Sequence, residues 1–144
     1  MGTRFSVLMA DDDLDDQVLM QHAFEENAIP AILNFVDDGV ELLKYLHNKK
    51  EENNLPSIIL LDMNMPRMGG KEALKLIKED STLKKIPVII FSTSDQDMDI
   101  ESSYELGASG YFTKPSGYLP LVALVKGLKT YWFESVKLPH LNKV

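Results

Sequence analysis

The sequence predicts an α/β fold, a single doubly wound (βα)5 domain on a five-stranded parallel sheet. Three observations point there. Five short apolar runs alternate with segments of helical period; two of the runs are almost continuously apolar; and turn-forming residues punctuate the junctions. An alternation of this kind with short links implies a parallel sheet flanked by helices and joined by right-handed crossovers.

FSVLMA (5–10) is the first strand, and five aspartates crowd the next six positions, 11–16. Leu19, Met20, Ala23 and Phe24 recur at helical steps behind them. ILNFV (32–36) is the second strand, and Asp38-Gly39 opens the second helix. NKKEENNLP (48–56) reads as a polar connecting loop. SIILLD (57–62) and PVIIFS (87–92) are the nearly continuous runs expected of central strands buried on both faces. Gly69-Gly70 precedes a third helix carrying Ala73, Leu76 and Ile77, and Gly107 closes the fourth. SGYFT (109–113) is the last strand. Leu121, Leu124, Val125, Leu128 and Trp132 form the clearest helical stripe, read as core or interface rather than a cofactor box.

A chain of 144 residues, 44% hydrophobic and 26% charged, fits one globular domain over 1–144, with 137–144 as a C-terminal tail. The net charge of −7 disfavours nucleic acid or an anionic membrane as partner. There is no cysteine, so disulfides and thiolate metal sites are excluded, and a reducing cytoplasm suits the chain. No apolar run reaches the length of a membrane span or signal core. MGTRFS matches a myristoylation pattern, but so short a pattern recurs by accident and the first strand begins within it.

In open parallel sheets, ligands bind beyond the carboxyl ends of the strands. Those ends carry Asp11, Asp12 and Asp13, then Asp62 followed by MNMP, then Ser92, Thr93 and Ser94, then Lys114-Pro115. Neighbouring strands lie about 4.8 Å apart, so these tips can share one shallow pocket. Clustered carboxylates without histidine or cysteine favour a hard cation such as Mg2+, which accepts phosphate oxygens as well. A lysine and a hydroxyl beside the carboxylates suit transfer of a dianionic phosphoryl group. Asp62, closing the most apolar strand, is the natural nucleophile and acceptor.

Asp13, Asp15 and Asp16 suit a helix N-terminus; Asp11 and Asp12 are assigned to the cation, with a shift to Asp12 and Asp13 left open. A calcium-loop reading fails, because its glycine and closing glutamate would fall on Asp16 and His22. Gly69-Gly70-Lys71 lacks the spacing of a phosphate loop. His22, His47 and His140 are scattered and suggest no metal. The enzyme alternative is a haloacid-dehalogenase-type phosphatase, disfavoured because Asp15 and Asn64 stand where its pattern needs Thr or Val and a second aspartate. A flavodoxin-like nucleotide-binding module lacks a phosphate cradle here. A docking module that no longer takes phosphate is disfavoured by the intact acidic set.

VLMADDD, IILLDMNMP, VIIFSTS and GYFTKP together resemble the receiver domain of two-component response regulators, the CheY-like branch of the flavodoxin-type fold, from Phe5 to about Val136. The early acidic pair, MNMPRMGG and TYWFESVKLP most resemble stand-alone receivers of the cyanobacterial-phytochrome type. The resemblance implies that Asp62 accepts the phosphoryl group and that Mg2+ is held by Asp11, Asp12, Asp62 and the Asn64 backbone carbonyl. It implies that Ser92, in place of the commoner threonine, and Lys114 meet the phosphoryl oxygens, and that Ser92 and Tyr111 form the switch. It also implies a cis Lys114–Pro115 bond. The expected donor is a sensor histidine kinase of phytochrome type or a phosphotransfer protein. Output would pass through protein contacts, with a homodimer contact or tail packing at the C-terminal YWF and VKLPHL.

Overall fold

The alternation of apolar run and helix resolves, in a computed structural model that describes residues 5–142, into five strands and five helices. The strands are β1 (Phe5–Ala10), β2 (Ala31–Val36), β3 (Ile58–Leu61), β4 (Val88–Ser92) and β5 (Gly110–Thr113). The helices are α1 (Leu14–Glu26), α2 (Gly39–Glu51), α3 (Gly70–Glu79), α4 (Asp97–Glu105) and α5 (Tyr118–Leu128). The myristoylation pattern depends on Gly2 and lies outside the described residues.

All pairings are parallel, in the order β2-β1-β3-β4-β5. The chain therefore reverses its direction of travel across the sheet between β1 and β3, and that switch point opens a crevice at their carboxyl ends. β3 and β4 are buried at every residue, as their uninterrupted apolar sequence requires. The two-residue period sorts the side chains onto two faces. Leu8, Ala10, Ile59, Leu61, Val88 and Ile90 pack with Leu42, Leu46, Leu74 and Ile77 of α2 and α3. Val7, Met9, Ile58, Leu60, Ile89 and Phe91 pack with Met20, Phe24, Leu121 and Val125 of α1 and α5.

Four expectations are corrected. α2 runs through Lys49, Lys50 and Glu51, so the connecting loop is shorter than 48–56; two lysines in the last turn complement the helix dipole. Leu76 and Leu19 are 37% exposed, whereas Leu74 and Met20 are fully buried. Met20, Ala23 and Phe24 of α1 and Ala73 and Ile77 of α3 are buried as expected, so only the edge of each apolar stripe differs. The Lys114–Pro115 bond is trans, as is every described peptide bond. The trans amide is the lower-energy isomer even before proline, and Gly117, at φ 96°, makes the turn into α5 instead. Lastly, α5 continues into a π-helical segment, Lys129–Ser135, that the periodicity did not reveal.

The wider π turn lets the consecutive Trp132 and Phe133 both pack under the sheet. Phe133 meets Phe5 edge-on at 4.9 Å between ring centroids. Beyond it, Leu138 packs on one core and Leu141 on the other. The Asn142 side-chain amide clamps both backbone groups of Leu55, accepting from its N–H at 2.7 Å and donating to its carbonyl at 3.3 Å. The tail thus packs within the chain.

Candidate phosphoryl-acceptor site

Register brings the site together. Ala10 pairs with Leu61, so Asp11 and Asp62 leave adjacent strands side by side, and the Asp62 N–H donates to the Ala10 carbonyl at 3.0 Å. Ser92 pairs with Thr113, which places Lys114 one step beyond. The Lys114 N–H donates to the Ser92 carbonyl at 2.7 Å. Gly70 lets α3 start directly behind the site: a Cβ there would lie 2.3 Å from the Asp62 carbonyl oxygen and 2.8 Å from Met63 Cα.

Carboxylate oxygens of Asp11, Asp12 and Asp62 all lie within 4.8 Å of one another. Asp11 and Asp62 are buried and Asp12 is exposed. Asp13 serves elsewhere: its carboxylate accepts from the N–H groups of Asp15 (2.9 Å) and Asp16 (3.3 Å), capping α1. Asn64, exposed, donates its N–H to Asp62 Oδ1 at 3.3 Å.

Lys114 Nζ sits amid the carboxylates, 2.9 Å from Asp11, 3.1 Å from Asp62 and 2.7 Å from Asp16. Burial pushes the Asp11 carboxyl up to about 6 against the pull of the Lys114 ammonium, and the Asp62 charge adds to the rise. Burial raises the Asp62 carboxyl too, again opposed by Lys114. For Lys114, burial disfavours the charge, but the hydrogen bonds to Asp16 and Asp11 and the Asp62 charge outweigh it and hold the ammonium above the ordinary lysine range. One ammonium meets three carboxylates, those of Asp11, Asp16 and Asp62, and a fourth, that of Asp12, converges on Asp11 and Asp62. An all-oxygen donor set with surplus negative charge fits a hard divalent cation.

Ser92 is fully buried, and its Oγ accepts from the Ser94 N–H at 3.2 Å. The half-buried Tyr111 donates its hydroxyl to the Ser94 carbonyl at 2.8 Å, so both expected switch residues hold the same β4–α4 loop. The other end of that loop is tied to α3. Ser94 Oγ donates to Asp99 at 2.6 Å, and Lys71 Nζ reaches the same carboxylate at 2.8 Å.

The structure brings Asp11, Asp12, Asp62 and Lys114 together and turns Asp13 away to cap α1, and several contributors escaped the sequence. Asp16 read as a helix-dipole residue, and nothing local distinguishes it from Asp15. Gln17 Nε2 donates to the Asp11 carbonyl at 2.8 Å and to Asp37 at 3.1 Å. Arg67, at φ 65°, pairs with Asp38 and Glu41 at the N-terminus of α2. His22, His47 and His140 are all exposed.

A doubly wound parallel sheet whose switch point holds converging carboxylates beside a partly buried lysine is the architecture of a receiver domain. Residues 7–126 match the response regulator receiver domain. The chain is 35% identical to the response regulator Rcp1 of Synechocystis sp. over 135 residues, covering 92% of each. It superposes on the phosphorylated cyanobacterial phytochrome response regulator RcpA with a TM-score of 0.87 at 37% identity, covering 94% of this chain and 99% of that one. The Mn2+-bound form of Rcp1 matches with a TM-score of 0.85 at 35% identity, covering 94% and 99%. The chain belongs to the response regulator receiver domain family and is a two-component response regulator.

Proposed function

We propose that Asp62 takes a phosphoryl group from a phosphohistidine of a sensor histidine kinase, of phytochrome type, or of a phosphotransfer protein. The observation that carries this reading is the convergence of the Asp11, Asp12 and Asp62 carboxylates around Asp62, with the Lys114 ammonium on the same carboxylate. The residues fit Mg2+, which Asp11, Asp12, Asp62 and the Asn64 carbonyl would hold; bound there, it would neutralise charge on the carboxylates and the incoming phosphoryl oxygens. An Asp62 oxygen bonds to phosphorus as the P–N bond of the donor breaks and the imidazole keeps the electron pair. The chain's own groups orient and neutralise: Lys114 faces the phosphoryl oxygens as a fixed positive charge, and Ser92 offers its hydroxyl to one of them. The same groups support self-catalysed gain and loss of the phosphoryl group, without a separate substrate.

Output follows from the loop that both switch residues hold. A new dianion beside Ser92 draws its hydroxyl inward, and Tyr111 changes its place against the Ser94 carbonyl. The face of α4, β5 and α5 then repacks and changes its affinity for a protein partner. Exposed Met98 and Tyr104 on α4 support protein contact as the output. Coverage of nearly the whole length of Rcp1 and RcpA supports one receiver domain across 1–144, with 137–144 as its tail. Tyr131, exposed beside Trp132, is the residue this reading places at a homodimer contact, which light scattering tests. No helix among the described residues is long and apolar enough to cross a membrane, and with the absence of cysteine this supports a cytoplasmic site of action.

Incubation with acetyl phosphate and Mg2+ followed by intact mass measurement tests the reading. One phosphoryl adduct forms on the wild type and none on Asp62→Asn. Steady hydrolysis of phosphomonoesters without an adduct would establish the phosphatase instead, and no adduct with any donor would establish the docking module.

A further inference from the structure

We propose that Asp16 is a positioning residue for phosphoryl transfer, anchoring Lys114 through a contact that neither a cation nor the phosphoryl group takes. The inference rests on Asp62 as the acceptor. Three carboxylates hold Lys114 Nζ, and the shortest contact, 2.7 Å, is to Asp16 rather than to Asp11 or Asp62. Asp11 and Asp62 belong to the converging carboxylate cluster, and Asp16 does not. A carboxylate shared with a divalent cation holds an ammonium more weakly, because the two positive charges repel. Asp16 alone of the three stays outside that competition.

The local structure leaves Asp16 available for this work. It is the third residue of α1, where an acidic side chain ordinarily turns back on the helix end. The N–H it would meet there, that of Asp13, already donates to Asp11 Oδ1 at 2.9 Å, while Asp13 takes the amides of Asp15 and Asp16. The pair is also shielded, with side-chain exposures of 11% for Lys114 and 28% for Asp16, so water screens it less than a surface pair. The Phe91 ring, 5.8 Å from Nζ, bounds the ammonium on another side. A lysine on a flexible four-carbon stem needs such an anchor if its charge is to stand at a fixed point when the phosphoryl group arrives.

Acetyl phosphate supplies the test reaction. An Asp62 oxygen bonds to phosphorus while the P–O bond to acetate breaks, and acetate leaves with the electron pair as its carboxylate, so no proton is moved. Adduct formation is timed by intact mass across a Mg2+ series for the wild type, Asp16→Asn, Asp16→Glu, Asp16→Ser and Asp15→Asn. In Asp16→Asn and Asp16→Ser the maximal rate falls about tenfold, as expected when a reacting charge loses its fixed position. The half-saturating Mg2+ concentration stays within about twofold of wild type, which separates positioning from cation binding. Asp16→Glu, which keeps the charge, recovers most of the rate. Asp15→Asn, which removes an equal charge from the same helical turn without touching Lys114, matches the wild type. Thermal melts confirm that each variant is folded, and the serine substitution repeats the test where asparagine is poorly tolerated. A wild-type rate in both neutral variants overturns the proposal. So does equal slowing in Asp15→Asn, or a rise in half-saturating Mg2+ that accounts for the lost rate. If the wild type takes no adduct, or Asp62→Asn keeps it, the acceptor reading itself fails.

Discussion

Asp11 is the most deeply buried carboxylate of the site. It is completely buried, and its carboxyl is pushed up to about 6 from an ordinary 3.8. A carboxyl whose folded-state value is raised binds its proton longer in the folded chain than in the unfolded one. Its contribution to stability is therefore largest below about pH 4 and is lost as pH rises through 6. In the presence of a chelator, the stability of the wild type relative to Asp11→Asn should fall across that window. Urea denaturation at pH 4.5, 6 and 7.5 measures it, and a parallel pH dependence of the two proteins would contradict the prediction. At this scale Asp62 and Lys114 were legible because each directly follows a strand, whereas Ser92 and Tyr111 were singled out as switch residues only by the resemblance to receiver domains. Asp16 was not legible, because its partner lies 98 residues away and neighbouring Asp15 has the same chemistry.

Among the elements, α3 and the C-terminal extension show the two ways in which packing supports the site. α3 can begin behind Asp62 only because residue 70 has no side chain. Gly70→Ala meets the Asp62 carbonyl and must push the acceptor loop away, lowering stability by about 1–3 kcal/mol. It should slow phosphorylation as well; denaturant titration and the mass time course measure the two effects. The extension works from the opposite end of the sheet. Truncation after Val136 removes Leu138, Leu141 and the two hydrogen bonds of Asn142. Half-buried leucines and partly covered hydrogen bonds each contribute about 1 kcal/mol, so the truncated chain should lose roughly 2–4 kcal/mol. A melting temperature equal to that of the full chain would remove the structural role of the tail. The helices were visible as apolar stripes, but their rotation against the sheet was not. How each helix seats on the sheet leaves Leu76 on the surface and Leu74 inside.

For the whole molecule, the sheet order converts four separate strand ends into one negatively charged rim, so stability and cation binding are linked. A cation that binds only the folded chain stabilises it by about 2.7 kcal/mol at a hundredfold excess over its dissociation constant. Saturating Mg2+ should therefore raise the melting temperature of the wild type markedly, and that of Asp12→Asn less, since one converging carboxylate is lost. Equal shifts in the two proteins, read by differential scanning calorimetry, would count against Asp12 as a ligand. By itself the sequence determined the α/β class, the parallel sheet and the residues at the carboxyl ends of its strands. Strand and helix periods are local, and a βα repeat admits few chain paths. Only the tertiary structure decided which aspartates converge and which one caps α1, that Asp16 reaches Lys114, that Lys114–Pro115 stays trans, and that Asn142 clamps Leu55. Those outcomes depend on register, helix rotation and side-chain reach between residues far apart in the chain, and no local pattern encodes such distances.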